Sequence, residues 1–308
     1  MSTPARRRLI TPRRIAALLL VLVVAGGAAT WLDLFGVGQK VDSLARRVEL
    51  VLNPPPDRPI DEAVLVTPRP AATATASPAP TPVVSLAPGQ TAPPAPTPTP
   101  APTRGPVDVN LLTDAAAAFI SEQDHEWCAV AGTQMVLAMN GKAPLTAAFQ
   151  AELAGRIGEW ESRRDSKNGG WGPSAMVKAL AAYGVPGYEV RAYETRQDAM
   201  RDAAQAISEL GAPVILLAWR GAHTWVMTGY RANADPRQFD DAKVSGAYIL
   251  DPWYPVVSKI WGPSDPPGTF QDAAEMKRNY LPWDRPEGLY LKRDGLFIAI
   301  LPTKPLIP

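Results

Sequence analysis

One cysteine and two histidines are all that this 308-residue chain has of the side chains that most often cross-link a fold or ligate a transition metal. A lone Cys128 excludes an intramolecular disulfide, so whatever folds must be held by its core even in an oxidising compartment. A zinc centre of Cys and His would need nearly all of Cys128, His125 and His223, whose spacings match no common finger or metalloprotease pattern. No metal and no other cofactor is therefore expected. Charge of one sign is also lacking: 31 Lys and Arg stand against 30 Asp and Glu, a net +1. Nucleic-acid binding needs a basic face to displace phosphate counterions, and the C-terminal part has no Lys/Arg stripe, so no nucleic-acid partner is expected.

What the chain does have is unevenly spread. Its 34 prolines concentrate between residues 53 and 106, and from Pro70 to Thr103 there is no charged residue while Pro, Ala and Thr dominate. Such a composition buries too little apolar surface to offset the entropy of ordering, so residues 53–106 are expected to be a disordered linker. In polyproline II geometry, at roughly 3.1 Å per residue, its uncharged part would span about 100 Å and act as a stalk. Residues 107–308 are left to form the one folded domain.

Ahead of the linker, Ile15 to Leu32 reads IAALLLVLVVAGGAATWL, an uncharged run about 27 Å long as a helix, nearly enough to cross a bilayer core. Arg6, Arg7, Arg8, Arg13 and Arg14 precede it, whereas Asp33 follows and Lys40 comes only later. The positive-inside bias then keeps residues 1–14 as a basic cytoplasmic arm and exports the C-terminal domain. Two readings of residues 15–37 stay open: a transmembrane signal anchor, giving a single-pass protein of the cell membrane, or a signal peptide cleaved near Ala25 to Ala29, giving a secreted domain. Residues 38–52 carry Val41, Leu44, Val48 and Leu52 near helical spacing, a short amphipathic helix suited to the membrane surface or to self-association. Nothing in the sequence fixes an oligomeric state.

The chemistry begins at CAVAGTQMVLAMNG, Cys128 to Gly141, apolar nearly all round except at Thr133 and Gln134, as a helix inside a domain would be. Gly141 supplies its stop. The preceding SEQDHEW is too polar to continue the pattern, so Cys128 falls in the first helical turn, where unpaired N–H groups and the helix dipole favour a thiolate. Further on, GAPVILLAW reads as a buried strand, Arg220-Gly221-Ala222 as a turn, HTWVMTGY as a second strand opening at His223, and GAYIL as a third running into Asp251. Antiparallel pairing of the last two brings His223 and Asp251 together at one edge, where a carboxylate can orient an imidazole. His125, three residues before Cys128, is a rival base that would have to reach the sulfur from a loop. Trp127 and Trp253 are candidates to line a cleft.

Taken together, WCAVAGTQMVL, GGWGPSAMVKALAAYG, RQDAMRDAAQAI followed by GAPVILL, GAHTWVMTGY and AYILDPW, in this order, resemble papain-like cysteine peptidases of the bacteriocin-processing (double-glycine leader) type and their stand-alone bacterial relatives. The resemblance runs from about Val107 to Pro302. It implies an α+β papain-like fold, a helix carrying the cysteine packed on an antiparallel sheet carrying His and Asp. It also implies Cys128 as nucleophile, His223 as general base, Asp251 as the residue that orients it, and a peptide or protein substrate. Two departures stand out. Transporter-linked members have Cys-Gly-Pro where this chain has Cys128-Ala129-Val130. The family's oxyanion glutamine precedes the cysteine by about six residues, whereas Gln123 precedes it by five and Glu122 holds the sixth place. A carboxylate would oppose an oxyanion, so Gln123 is the expected donor. The SKNGGWGPS loop, Ser166 to Ser174, would border the substrate. No nucleotide-binding domain follows, so a transporter's leader peptidase is not expected.

The expected activity is hydrolysis of peptide bonds by a membrane-anchored, extracytoplasmic enzyme. The same triad would serve acyl or amide transfer to another amine, since it does not choose the acceptor, and a non-catalytic peptide-binding module on a stalk is the reading from a different class.

Overall fold

The computed structural model describes residues 44, 45, 48, 52–68, 102–166, 171–258, 262–284 and 292–305. The expected membrane span at 15–37 and most of the uncharged linker lie outside them; no described helix is long and apolar enough to cross a membrane. Of the expected amphipathic segment, Leu44, Ala45, Val48 and Leu52 are described; all are helical and all are exposed. The chain divides into two compact units, Met1–Pro55 and Pro56–Pro308.

In the larger unit an eight-stranded sheet separates two cores. Its strands are β1 (Val64–Val66), β2 (Val107–Asn110), β3 (Tyr188–Tyr193), β4 (Val214–Ala218), β5 (His223–Ala232), β6 (Val244–Leu250), β9 (Thr269–Asp272) and β10 (Phe297–Pro302). They lie in the order β1-β3-β10-β4-β5-β6-β9, with β2 also paired to β5; every pairing is antiparallel except β1 with β3. Two-residue strands β7 (Val257–Ser258) and β8 (Gly262–Pro263) pair separately. Because successive side chains of a strand point to opposite faces, the all-apolar VILLA of β4 feeds both cores. Ile215 and Leu217 join one, and Val214, Leu216 and Ala218 the other.

The first core is capped by helices α1 (Cys128–Met139), α2 (Ala147–Gly155) and α3 (Pro173–Ala182), the second by α4 (Arg196–Leu210) and α5 (Ala273–Asn279). This is the mixed α+β arrangement, a cysteine-bearing helix on an antiparallel sheet. The helix limits follow local chemistry: Thr195 caps α4 by accepting from the N–H of Asp198, and Gly211, in left-handed backbone, ends it. Gly132 lets α1 come close to the sheet, since a Cβ there would stand 2.6 Å from Cγ2 of Thr224 on β5.

The expectation of a linker running unbroken from 53 to 106 fails at its start. Residues 56–66 belong to the larger unit: β1 pairs with β3, and the N–H of Asp61 donates to Oγ of Ser174 at 2.9 Å. Ser162 Oγ donates to the carbonyl of Arg58 at 2.7 Å, and Lys178 Nζ to that of Pro59 at 2.7 Å. The segment DRPIDEAVLV has the charges that the uncharged tract after Pro70 lacks, and so has partners to find.

Candidate active site

Cys128 is the first residue of α1 and is partly exposed. The helix has no side-chain cap, so its first N–H groups, that of Cys128 included, have no intrahelical acceptor. Opposite it, β5 opens at His223. The antiparallel register of β5 with β6, in which Val226 faces Leu250, brings that opening alongside the turn after β6. There Nε2 of His223 meets Oδ1 of Asp251 at 2.7 Å, both residues being buried. With Nε2 committed to the carboxylate, Nδ1 is the ring nitrogen left for the sulfur. Oδ1 of Asp251 also accepts the N–H of Trp253 at 2.9 Å, which fixes the carboxylate.

The electrostatics couple the two. Burial alone would push the Cys128 thiol up, but the hydrogen bond and charge of His223, with hydrogen bonds from Thr224, hold its pKa below the ordinary thiol value. Burial would likewise depress His223; the charge and hydrogen bond of Asp251, with those of Cys128, lift its pKa well above the ordinary imidazole value. The directions agree with a thiolate facing an imidazolium.

Two features here escaped sequence reading. Trp219 stacks on the His223 ring, centroids 4.0 Å apart and planes 19° from parallel, while Trp253 meets the ring edge-on at 6.2 Å. To present the indole, the turn between β4 and β5 places two non-glycine residues, Trp219 and Arg220, in left-handed backbone at φ 49° and 61°. The indole N–H of Trp219 donates to Asn279 at 3.2 Å.

The second feature is Glu122. Ligand-type atoms of Glu122, Cys128 and His223 all lie within 4.8 Å of one another. Both carboxyl oxygens of Glu122 are buried without a hydrogen-bond partner among the described residues. The expected oxyanion donor, Gln123, is instead exposed, its Nε2 donating to the carbonyl of Ser121 at 3.0 Å. The reason is a clamp on the loop. The N–H of Gln123 donates to Oε1 of Gln150 on α2 at 2.7 Å, and Nε2 of Gln150 reaches the carbonyl of Ser121 at 3.2 Å. On the other side, the N–H of Glu122 donates to the carbonyl of Pro252 at 2.9 Å, and Ser121 Oγ to that of Tyr254 at 2.5 Å. Gln150 is itself held by Gln134 of α1, at 3.0 Å.

Glu122, Cys128 and His223 are also close enough for a metal, but a ligating imidazole must be neutral, and His223 favours its charged form beside Asp251 and Cys128. His125, the rival base, is exposed and lies against Trp253, ring centroids 5.6 Å apart. Trp127 is half-buried against the first core. Residues 167–170 of the loop expected to border substrate are outside the described residues; Ser174 at its end is buried under Asp61.

A model of the Peptidase_C39 like family matches residues 115–279, more than half of the chain. Among solved structures, the chain is similar to the crystal structure of a double glycine motif protease from an AMS/PCAT transporter in complex with the leader peptide. The identity is 19% over 60% of this chain and 91% of that one, with a TM-score of 0.30. No curated protein matches.

Proposed function

The chain belongs to the Peptidase_C39 like family and is a cysteine-type peptidase; from that premise we propose that Cys128 is its nucleophile, His223 its general base and Asp251 the group that orients the imidazole. The observation that carries this reading is the bond between Nε2 of His223 and Asp251, which leaves Nδ1 for a thiol whose pKa is lowered. The thiolate attacks a peptide carbonyl. Protonated His223 then gives its proton to the leaving amine, and water, deprotonated by the neutral imidazole, releases the acyl-enzyme. Asp251 keeps the ring in place and favours its charged form. Stacked Trp219 holds the imidazole from its face.

Alkylation by iodoacetamide as a function of pH tests the assignment. The wild-type chain is expected to react well below pH 8, Cys128→Ala not at all, and His223→Ala with a profile moved towards that of free cysteine near roughly 8.5. Peptide hydrolysis should vanish in both variants. A wild-type profile like that of free cysteine would remove the nucleophile from the reading.

We further propose that residues 15–37 anchor the chain in the cell membrane with the peptidase domain outside. The uncharged run behind five arginines supports this, as does the exposure of helical Leu44, Val48 and Leu52. Recovery of the domain in the cytosol after fractionation would sink this part alone.

A further inference from the structure

Acyl transfer by a thiolate concentrates negative charge on the carbonyl oxygen, and donors already aimed at that oxygen are a large part of catalysis. The N–H of Cys128, unpaired by its place at a helix start, supplies one. We propose that Glu122, acting as a neutral carboxylic acid, supplies the other. The proposal rests on Cys128 being the nucleophile.

Three observations converge on this side chain. Its carboxyl lies within 4.8 Å of both the nucleophile and the base. Neither of its oxygens has a hydrogen-bond partner among the described residues, although both are buried. The loop that bears it is clamped from two directions, by Gln150 at Ser121 and Gln123 and by Pro252 and Tyr254 at Glu122 and Ser121, so its placement is built rather than incidental. Gln123 is spent on the clamp, its N–H to Gln150 and its amide to Ser121.

A buried, unpartnered carboxylate is far more costly than a buried carboxylic acid, so burial favours the protonated form. The charged groups facing Glu122 are Cys128 from α1, His223 from β5, Asp251 from the turn after β6 and Asp124 from its own loop. Burial first, then the negative charges of Cys128, Asp251 and Asp124 against the opposing His223, raise its pKa to about 9. At neutral pH the group therefore carries a proton and can donate, which answers the objection that a carboxylate would repel the oxyanion. In the step itself, Sγ bonds to the carbonyl carbon and the π pair moves to oxygen. Glu122 donates a hydrogen bond to that oxygen and keeps its proton. The pair then returns as the C–N bond breaks and the amine leaves with the proton from His223.

The test uses the full chain in detergent and two probes, from pH 6 to 10: iodoacetamide, which reads the thiolate alone, and the acylation burst with p-nitrophenyl acetate, which also forms an oxyanion. Glu122→Ala is expected to lose about 10²-fold or more in acylation rate, with alkylation kept within a few-fold. Glu122→Gln, which keeps a neutral donor, should acylate within about tenfold of wild type at pH 7. It should also extend the alkaline limb, because it has no proton to lose near pH 9. Wild-type acylation by Glu122→Ala, an equal loss of alkylation, an unchanged alkaline limb in Glu122→Gln, or the loss appearing in Gln123→Ala instead would each overturn the proposal. Should Glu122→Ala fail to fold, the pH profile of Glu122→Gln decides alone. If wild type itself alkylates only like free cysteine, the assignment of Cys128 falls first and this proposal with it.

Discussion

Two carboxyl groups are buried ahead of two helices, and the fold treats them in opposite ways. Asp165 stands before α3 and is saturated: Arg293 donates to it at 2.7 Å and the N–H of Ala175, in the first turn of α3, at 2.9 Å. Arg293 is itself buried. The Glu122 carboxyl stands before α1, beside a thiol and an imidazole, and neither of its oxygens has a hydrogen-bond partner among the described residues. A carboxyl that holds structure together is fully bonded, because leaving it bare would cost stability. One left bare next to a nucleophile has its bonding capacity open for a group that arrives with the substrate.

The contrast can be broken at either end. The largest effect is expected from Arg293→Met, which strands the buried Asp165 charge and should cost about 3–5 kcal/mol in denaturant unfolding. The double variant Asp165→Asn with Arg293→Met should recover much of that loss; if it does not, the pair is not what saturates the site. Next comes Gln150→Leu, which takes the acceptor from the N–H of Gln123 and the donor from Oε1 of Gln134 and should cost about 1–3 kcal/mol. Alkylation of Cys128 should survive in this variant while acylation weakens, because the clamp positions Glu122 and not the sulfur. Equal loss of both would show that the loop serves the fold only. The smallest effect is expected from Thr224→Val, which removes a hydroxyl that helps hold the thiol pKa down. Its alkylation profile should move to higher pH by less than that of His223→Ala, with stability changed by about 1 kcal/mol.

Much of this site was legible in the sequence because it depends on local pattern. The apolar run from Cys128 set the helix, and the polar SEQDHEW ahead of it set where the helix starts. The strand opening at His223 and the strand ending before Asp251 needed only antiparallel pairing to bring imidazole and carboxylate together. What stayed hidden depends on distant partners. Whether Glu122 or Gln123 turns inward is decided by Gln150, on the next helix, and by Pro252 and Tyr254, more than a hundred residues away. The stacking of Trp219 needs left-handed backbone at a residue type that rarely adopts it, and no periodicity announces that. Strand β1 is three residues long and exists through its pairing with β3, so a window centred on it sees only the edge of a proline-rich tract.

That short strand changes what the proline-rich tract can do. Residues 64–66 are tied to β3, and residues 107–110, beyond the tract, are tied to β5 of the same body. A cord knotted at both ends to one object cannot hold that object away from anything else. Its length sets the size of a loop on the peptidase and not the height of the peptidase above a bilayer.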